Sequence, residues 1–89
     1  MYNYFALAGR LEAINKNSVV LNVAKPYKNE QGIFETETFE VQLEDRLMAI
    51  VNLEKGNLIN IKGRIAKDKN NNNILIGERM IVERGIIYE

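Results

Sequence analysis

Apolar side chains recur at every second position through five separate stretches of this 89-residue chain, a period that commits it to β-strands with one buried face. From Tyr4 to Ile14, the apolar set Phe5, Leu7 and Leu11 alternates with Tyr4, Arg10 and Glu12. Ser18 to Lys25 is rich in β-branched residues and puts Val19, Leu21 and Val23 on one face. The link between these strands, Asn15-Lys16-Asn17, is a tight polar turn of hairpin type. After the turn-rich Pro26 to Gly32, Phe34 to Leu43 sends Phe39, Val41 and Leu43 one way, and Thr36, Thr38, Glu40 and Gln42 the other. Leu58 to Lys67 carries Ile59, Ile61 and Ile65 inward, with Asn60, Lys62 and Arg64 outward. Beyond an Asn-rich turn, Asn73 to Glu83 carries Ile74, Ile76, Met80 and Val82 on one face, and Leu75, Arg79 and Ile81 on the other.

One stretch breaks the period. In Asp45 to Leu53, Leu47, Ile50 and Val51 recur at helical spacing, which predicts a short helix with Asp45 as its N-cap and a left-handed Gly56 closing it. The resulting order predicts an all-β OB-fold, a five-stranded Greek-key barrel with a short helix between strands three and four. Gly9 and Gly63 fall in mid-strand, where so small a barrel needs its strands to bend. The length predicts one domain, residues 1–89.

Composition narrows the chemistry. The chain has no Cys and no His, which removes disulfides, thiol nucleophiles, Cys- or His-ligated zinc and every His-based triad. Glu35 and Glu37 share a strand face, but neither a phosphate loop nor a metal spacing accompanies them. The expectation is a non-enzyme with no cofactor, no metal and no small-molecule substrate. No window approaches the roughly 20 apolar residues of a membrane span, and the start lacks a leader, so a cytoplasmic protein is expected. Lys plus Arg equals Asp plus Glu at 12 each, so a polyanion would have to be met by a local basic patch.

The residues also resemble the bacterial and phage single-stranded DNA-binding protein (SSB) family. Four stretches carry the resemblance: Tyr4 to Leu11, Val20 to Asn29, Gly32 to Leu43, and Leu53 to Ile65 with its Lys55-Gly56 and Gly63-Arg64. The chain departs from the family at Thr38 and Glu44, where aromatics are usual, and at Lys67-Asp68-Lys69-Asn70. Its first connection is short, and the family's acidic tail is absent at Glu89, which points to a phage or mobile-element member or a primosomal OB-fold relative. The resemblance implies single-stranded DNA as partner, and dimers or tetramers formed through the first strand. Tyr2, Tyr4, Ala6 and Ala8 are the expected interface, with the apolar stretch from Gly85 to Tyr88 as a further surface for a partner to bury.

Single strands are held by cations on phosphates and by aromatic faces under bases. Lys62 and Arg64 on strand four, Arg79 on strand five and Arg10 on strand one are the outward cations. Arg10 has the interface as its alternative. Lys25, Tyr27, Lys28 and Phe34 interleave basic and aromatic character around the second connection. Tyr27 is read as a stacking platform or as packing against the loop base, and Phe34 as exposed or folded back. Lys67 and Lys69 flank the Asn-rich turn, as phosphate contacts or as solvated loop. Glu35, Glu37 and Glu40 oppose phosphate wherever they face it, so weaker binding than usual in the family is expected. The rival is an OB-fold assembly subunit with weak or no nucleic-acid binding.

Overall fold

A computed structural model describes residues 3–82 and 86–88. The strands are β1 (Tyr4–Ile14), β2 (Ser18–Lys28), β3 (Phe34–Leu43), β4 (Leu58–Lys67), β5 (Asn73–Val82) and β6 (Ile86–Tyr88), with a single helical turn α1 (Asp45–Met48) between β3 and β4. The sheet order is β3-β2-β1-β4-β5-β6, and a parallel pairing of Val41–Leu43 with residues 75–77 joins β3 to β5. That pairing closes five strands into the OB-fold barrel. Among the described residues no helix is long and apolar enough to cross a membrane.

Most of the inward positions read from the alternation form the core; Phe5, Leu7 and Val23 pack partly buried against it, while Phe39 and Ile65 are half-buried and stand apart from it. Leu11, Val19, Leu21, Val41, Leu43, Ile59, Ile61, Met80 and Val82 are buried together, and Leu47 of α1 joins them. The β1–β2 turn is tied by Ser18, whose hydroxyl donates to Glu40 at 3.0 Å. Glu40 is therefore a structural ligand of that turn.

Three expectations need correction. The first concerns β5, where a bulge breaks the alternation: Lys62 pairs with Arg79 but the next residue, Gly63, pairs with Gly77, so Glu78 is the extra residue. Leu75 and Gly77 consequently share the inward face with Met80 and Val82, while Ile74 and Ile76 turn outward. The second is the helix, which stops at Met48 and is preceded by Glu44 at the N-cap, with no side-chain cap bond; Asp45 lies inside the turn. β-branched Ile50 and Val51 follow where the next turn would begin, and they are poor helix formers.

Third, the first strand, expected to carry a self-contact, lies between β2 and β4 in the sheet order and leaves only part of one edge open. Its pairing with β4 covers Tyr4–Arg10, and its pairing with β2 covers only Arg10–Ile14. The C-terminal apolar residues pair within the chain, Ile87 with Ile81 and Tyr88 with Met80, and Ile87 remains exposed. Tyr2 and Gly85 lie outside the described residues.

Candidate nucleic-acid interface

Register decides which outward residues meet. Across β1 and β4, Tyr4 lies opposite Arg64, Ala6 opposite Lys62, and Ala8 opposite Asn60. Across β4 and β5, Lys62 lies opposite Arg79 and Asn60 opposite Ile81. Facing residues in an antiparallel ladder are about 4.5–5.5 Å apart, so these are contiguous rows. One row runs Ala6–Lys62–Arg79. The next runs Ala8–Asn60–Ile81 and continues to Ile87 on β6.

Three of the four outward cations therefore share one patch of sheet. Arg64 sits two residues along β4 from Lys62, beside Tyr4, which is 69% exposed. The Arg64 guanidinium lies 3.8 Å from Glu78, the bulge residue, with both side chains about half exposed. So loose a surface pair contributes little and gives way readily to a stronger anion. Arg10 is separate: its guanidinium donates to the Gly56 carbonyl at 3.0 Å, pinning the turn before β4. It borders a groove of about 470 Å³ on the outer sheet face, lined also by Ala8, Asn22, Ala24, Thr36, Leu58 and Asn60.

The second cluster sits at the far end of the β2–β3 hairpin. Pairing jumps from Ala24–Thr36 to Lys28–Phe34, so Lys25, Pro26 and Tyr27 oppose Glu35 alone. Pro26 has no N–H to give the ladder, which suits it to such a bulge. Tyr27 is 72% exposed and Phe34 52% exposed, so neither is buried against the hairpin. The Lys28 ammonium stands 5.6 Å from the Phe34 ring centroid, within cation–π range.

Lys25 is not a free phosphate ligand. Its ammonium is held by Glu35 at 3.1 Å and Glu37 at 3.6 Å. The hydrogen bond to Glu35 and the charges of both carboxylates raise its pKa, and the bonds from Lys25 and Asn29 lower that of Glu35. Lys67 donates to the Asn71 carbonyl at 3.5 Å, and Lys69 is exposed on the same turn. Both stand past the Arg64 row, so the site residues divide into a sheet patch, a hairpin tip and a turn.

Two residues escape a reading of the sequence as binding groups. Tyr4 belongs beside Arg64 as much as on an interface, and Glu78 answers Arg64's charge. Neither relation is visible without the β1–β4 register and the β5 bulge. Ala6 and Ala8 are exposed as expected, but they share rows with Lys62 and Asn60, so the expected interface and the expected DNA contacts are one face.

The barrel is similar to yeast Rim1. The mitochondrial single-stranded DNA-binding protein Rim1 of S. cerevisiae superposes with a TM-score of 0.63 at 10% identity, covering 97% of this chain and 98% of that one. A second crystal form of Rim1 gives 0.62 at 14% identity, covering 97% and 99%. The N-terminal domain of PriB from Thermoanaerobacter tencongensis gives 0.49 at 15% identity, covering 90% and 94%. At 10% and 14% identity the likeness to Rim1 is one of fold. No protein-family model matches the chain, and no curated protein matches its sequence.

Proposed function

We propose that this chain binds single-stranded DNA non-catalytically, coating exposed strands in replication, recombination or mobile-element transfer. The observation that carries the reading is the contiguous outward patch of Lys62, Arg64 and Arg79 with Tyr4 at its margin, on a barrel whose solved likeness Rim1 is a single-stranded DNA-binding protein. The cations take phosphates, while Tyr4, Tyr27 and Phe34 offer faces to bases. Affinity then comes mainly from backbone and stacking contacts, which are largely indifferent to sequence.

A second reading has its own observation. The row Ala8–Asn60–Ile81–Ile87 is mostly apolar, and the β2-side edge of β1 is paired with β2 only from Arg10 onward. Such a face suits self-association, or an assembly subunit with no role on DNA.

Fluorescence anisotropy with labelled oligo-dT, run against duplex DNA, separates the two. Single-strand binding lost on Lys62→Ala and Arg64→Ala supports the DNA reading. Negligible binding at low salt leaves the assembly reading standing.

A further inference from the structure

The hairpin tip holds a preformed recess of about 380 Å³ whose walls are chemically unlike the basic sheet patch. Tyr27 and Glu35 both line it, with Lys25, Lys28, Asn29 and a second carboxylate, Glu30. The Glu35 carboxylate is fixed from two directions: Lys25 donates to Oε2 at 3.1 Å and Asn29 Nδ2 donates to Oε1 at 3.3 Å. Asn29 is itself locked, because its Oδ1 accepts from the backbone N–H groups of Gln31 at 2.9 Å and Ile33 at 3.0 Å. Gly32 makes that tight loop possible at φ 76° and donates to the Asn29 carbonyl at 3.0 Å.

Each carboxylate oxygen carries two lone pairs, so one bond apiece leaves both oxygens able to accept again. An ionised carboxylate accepts and cannot donate, and its lowered pKa keeps Glu35 ionised at neutral pH.

We propose that Tyr27 and Glu35 form a one-base subsite that prefers a base presenting an amino group, cytosine above all among the pyrimidines, over thymine or uracil. Tyr27 supplies a stacking face open to solvent, and a base laid on it turns its edge toward Glu35. Cytosine offers its N4 amino group there, the pairing that carboxylates make with cytosine in duplex recognition. Thymine puts the O4 carbonyl where cytosine has its amino group, and its one donor, N3–H, is flanked by O2 and O4, so a carboxylate that reaches it is set against carbonyl oxygens on both sides. Lys28 flanks the recess and suits an adjoining phosphate, which is the same for both bases, while Lys25 stays on Glu35 and Glu37. The subsite rests on the single-strand reading above and adds base discrimination to it.

The test compares short oligo-dC and oligo-dT of equal length at neutral pH by anisotropy. The two pyrimidines differ little in stacking area, so the ratio isolates the edge contact. The expected wild-type preference for dC is about tenfold, the size of one hydrogen bond to a charged acceptor. Glu35→Gln should bring the ratio close to one, because an amide both donates and accepts. Glu37→Gln removes the same charge from the hairpin but does not line the recess, and should leave the ratio unchanged. Equal wild-type affinities, or equal shifts in the two variants, overturn the subsite while leaving strand binding intact. Failure of both oligonucleotides to bind overturns the single-strand reading and the subsite together.

Discussion

Gly63 sits where β4 and β5 approach so closely that a Cβ built on it would lie 1.8 Å from the Ile76 carbonyl oxygen. No rotamer relieves a clash with backbone, so Gly63→Ala should cost about 3 kcal/mol or more, by forced strand separation. Gly32 poses the opposite problem, with open space around its missing Cβ but a positive φ of 76°. Gly32→Ala should cost only about 1 kcal/mol of backbone strain. Urea unfolding of the two variants measures both. The sequence shows a mid-strand glycine at Gly63, but the oxygen it must admit comes from a strand pairing that no local pattern encodes.

The Lys25–Glu35 pair gives a second prediction at this scale. Glu35 is more acidic in the fold, so its share of stability is present above the unfolded carboxylate pKa and is lost as pH falls through the lower folded value. Lys25 is more basic in the fold, so its share is present below the unfolded lysine pKa and is lost as pH rises through the higher folded value. The hairpin should therefore be indifferent to pH across the neutral range and loosen at both extremes. Amide hydrogen exchange at Lys28 and Phe34, compared with Glu35→Gln, reads this directly; a variant that matches wild type at every pH argues against the pair.

Elements differ in how much of themselves they show. In β1 to β4 the buried residues Leu11, Val19, Leu21, Val41, Leu43, Ile59 and Ile61 fall where the alternation puts them, although β1 and β2 each carry an irregularity in pairing. β5 carries apolar residues at both parities, with Ile74, Leu75, Ile76, Met80, Ile81 and Val82 in ten positions, so alternation cannot choose a face. The bulge at Glu78 makes the choice, and Gly77 permits it: a Cβ there would lie 2.7 Å from the Leu43 side chain. α1 shows the reverse weighting. One buried side chain, Leu47, holds a four-residue turn whose cap makes no side-chain bond. Leu47→Ala should cost about 2–5 kcal/mol through lost burial and a cavity. Asp45→Ala should fall within about 0.5 kcal/mol, as for a surface change away from special contacts. A large effect at Asp45 in thermal unfolding would mean that helix formation, and not plugging of the barrel, is what this segment contributes.

At the scale of the whole molecule, net charge and local charge point in different directions. A formal charge of zero offers no long-range attraction for a polyanion, yet the fold gathers Lys62, Arg64 and Arg79 while Glu40 is spent on the β1–β2 turn and Glu35 and Glu37 on Lys25. Alternation marked these cations as outward and already set Lys62 and Arg64 side by side on β4; the β4–β5 register added Arg79. Their count sets a measurable quantity. Single-strand affinity falls with a log–log salt slope of about −0.7 per neutralised phosphate, so three contacts give a slope near −2. Lys62→Ala should make the slope shallower by about 0.7 and weaken binding uniformly across sequences. Glu78→Gln should act in the other direction, because it frees Arg64 from its 3.8 Å partner and removes a negative charge beside the phosphate path. Anisotropy titrations over a salt series distinguish this arrangement from scattered surface charge. In the scattered case Lys62→Ala and Glu78→Gln leave the slope and the affinity where they were, and the sheet face is left to the apolar row and to protein partners.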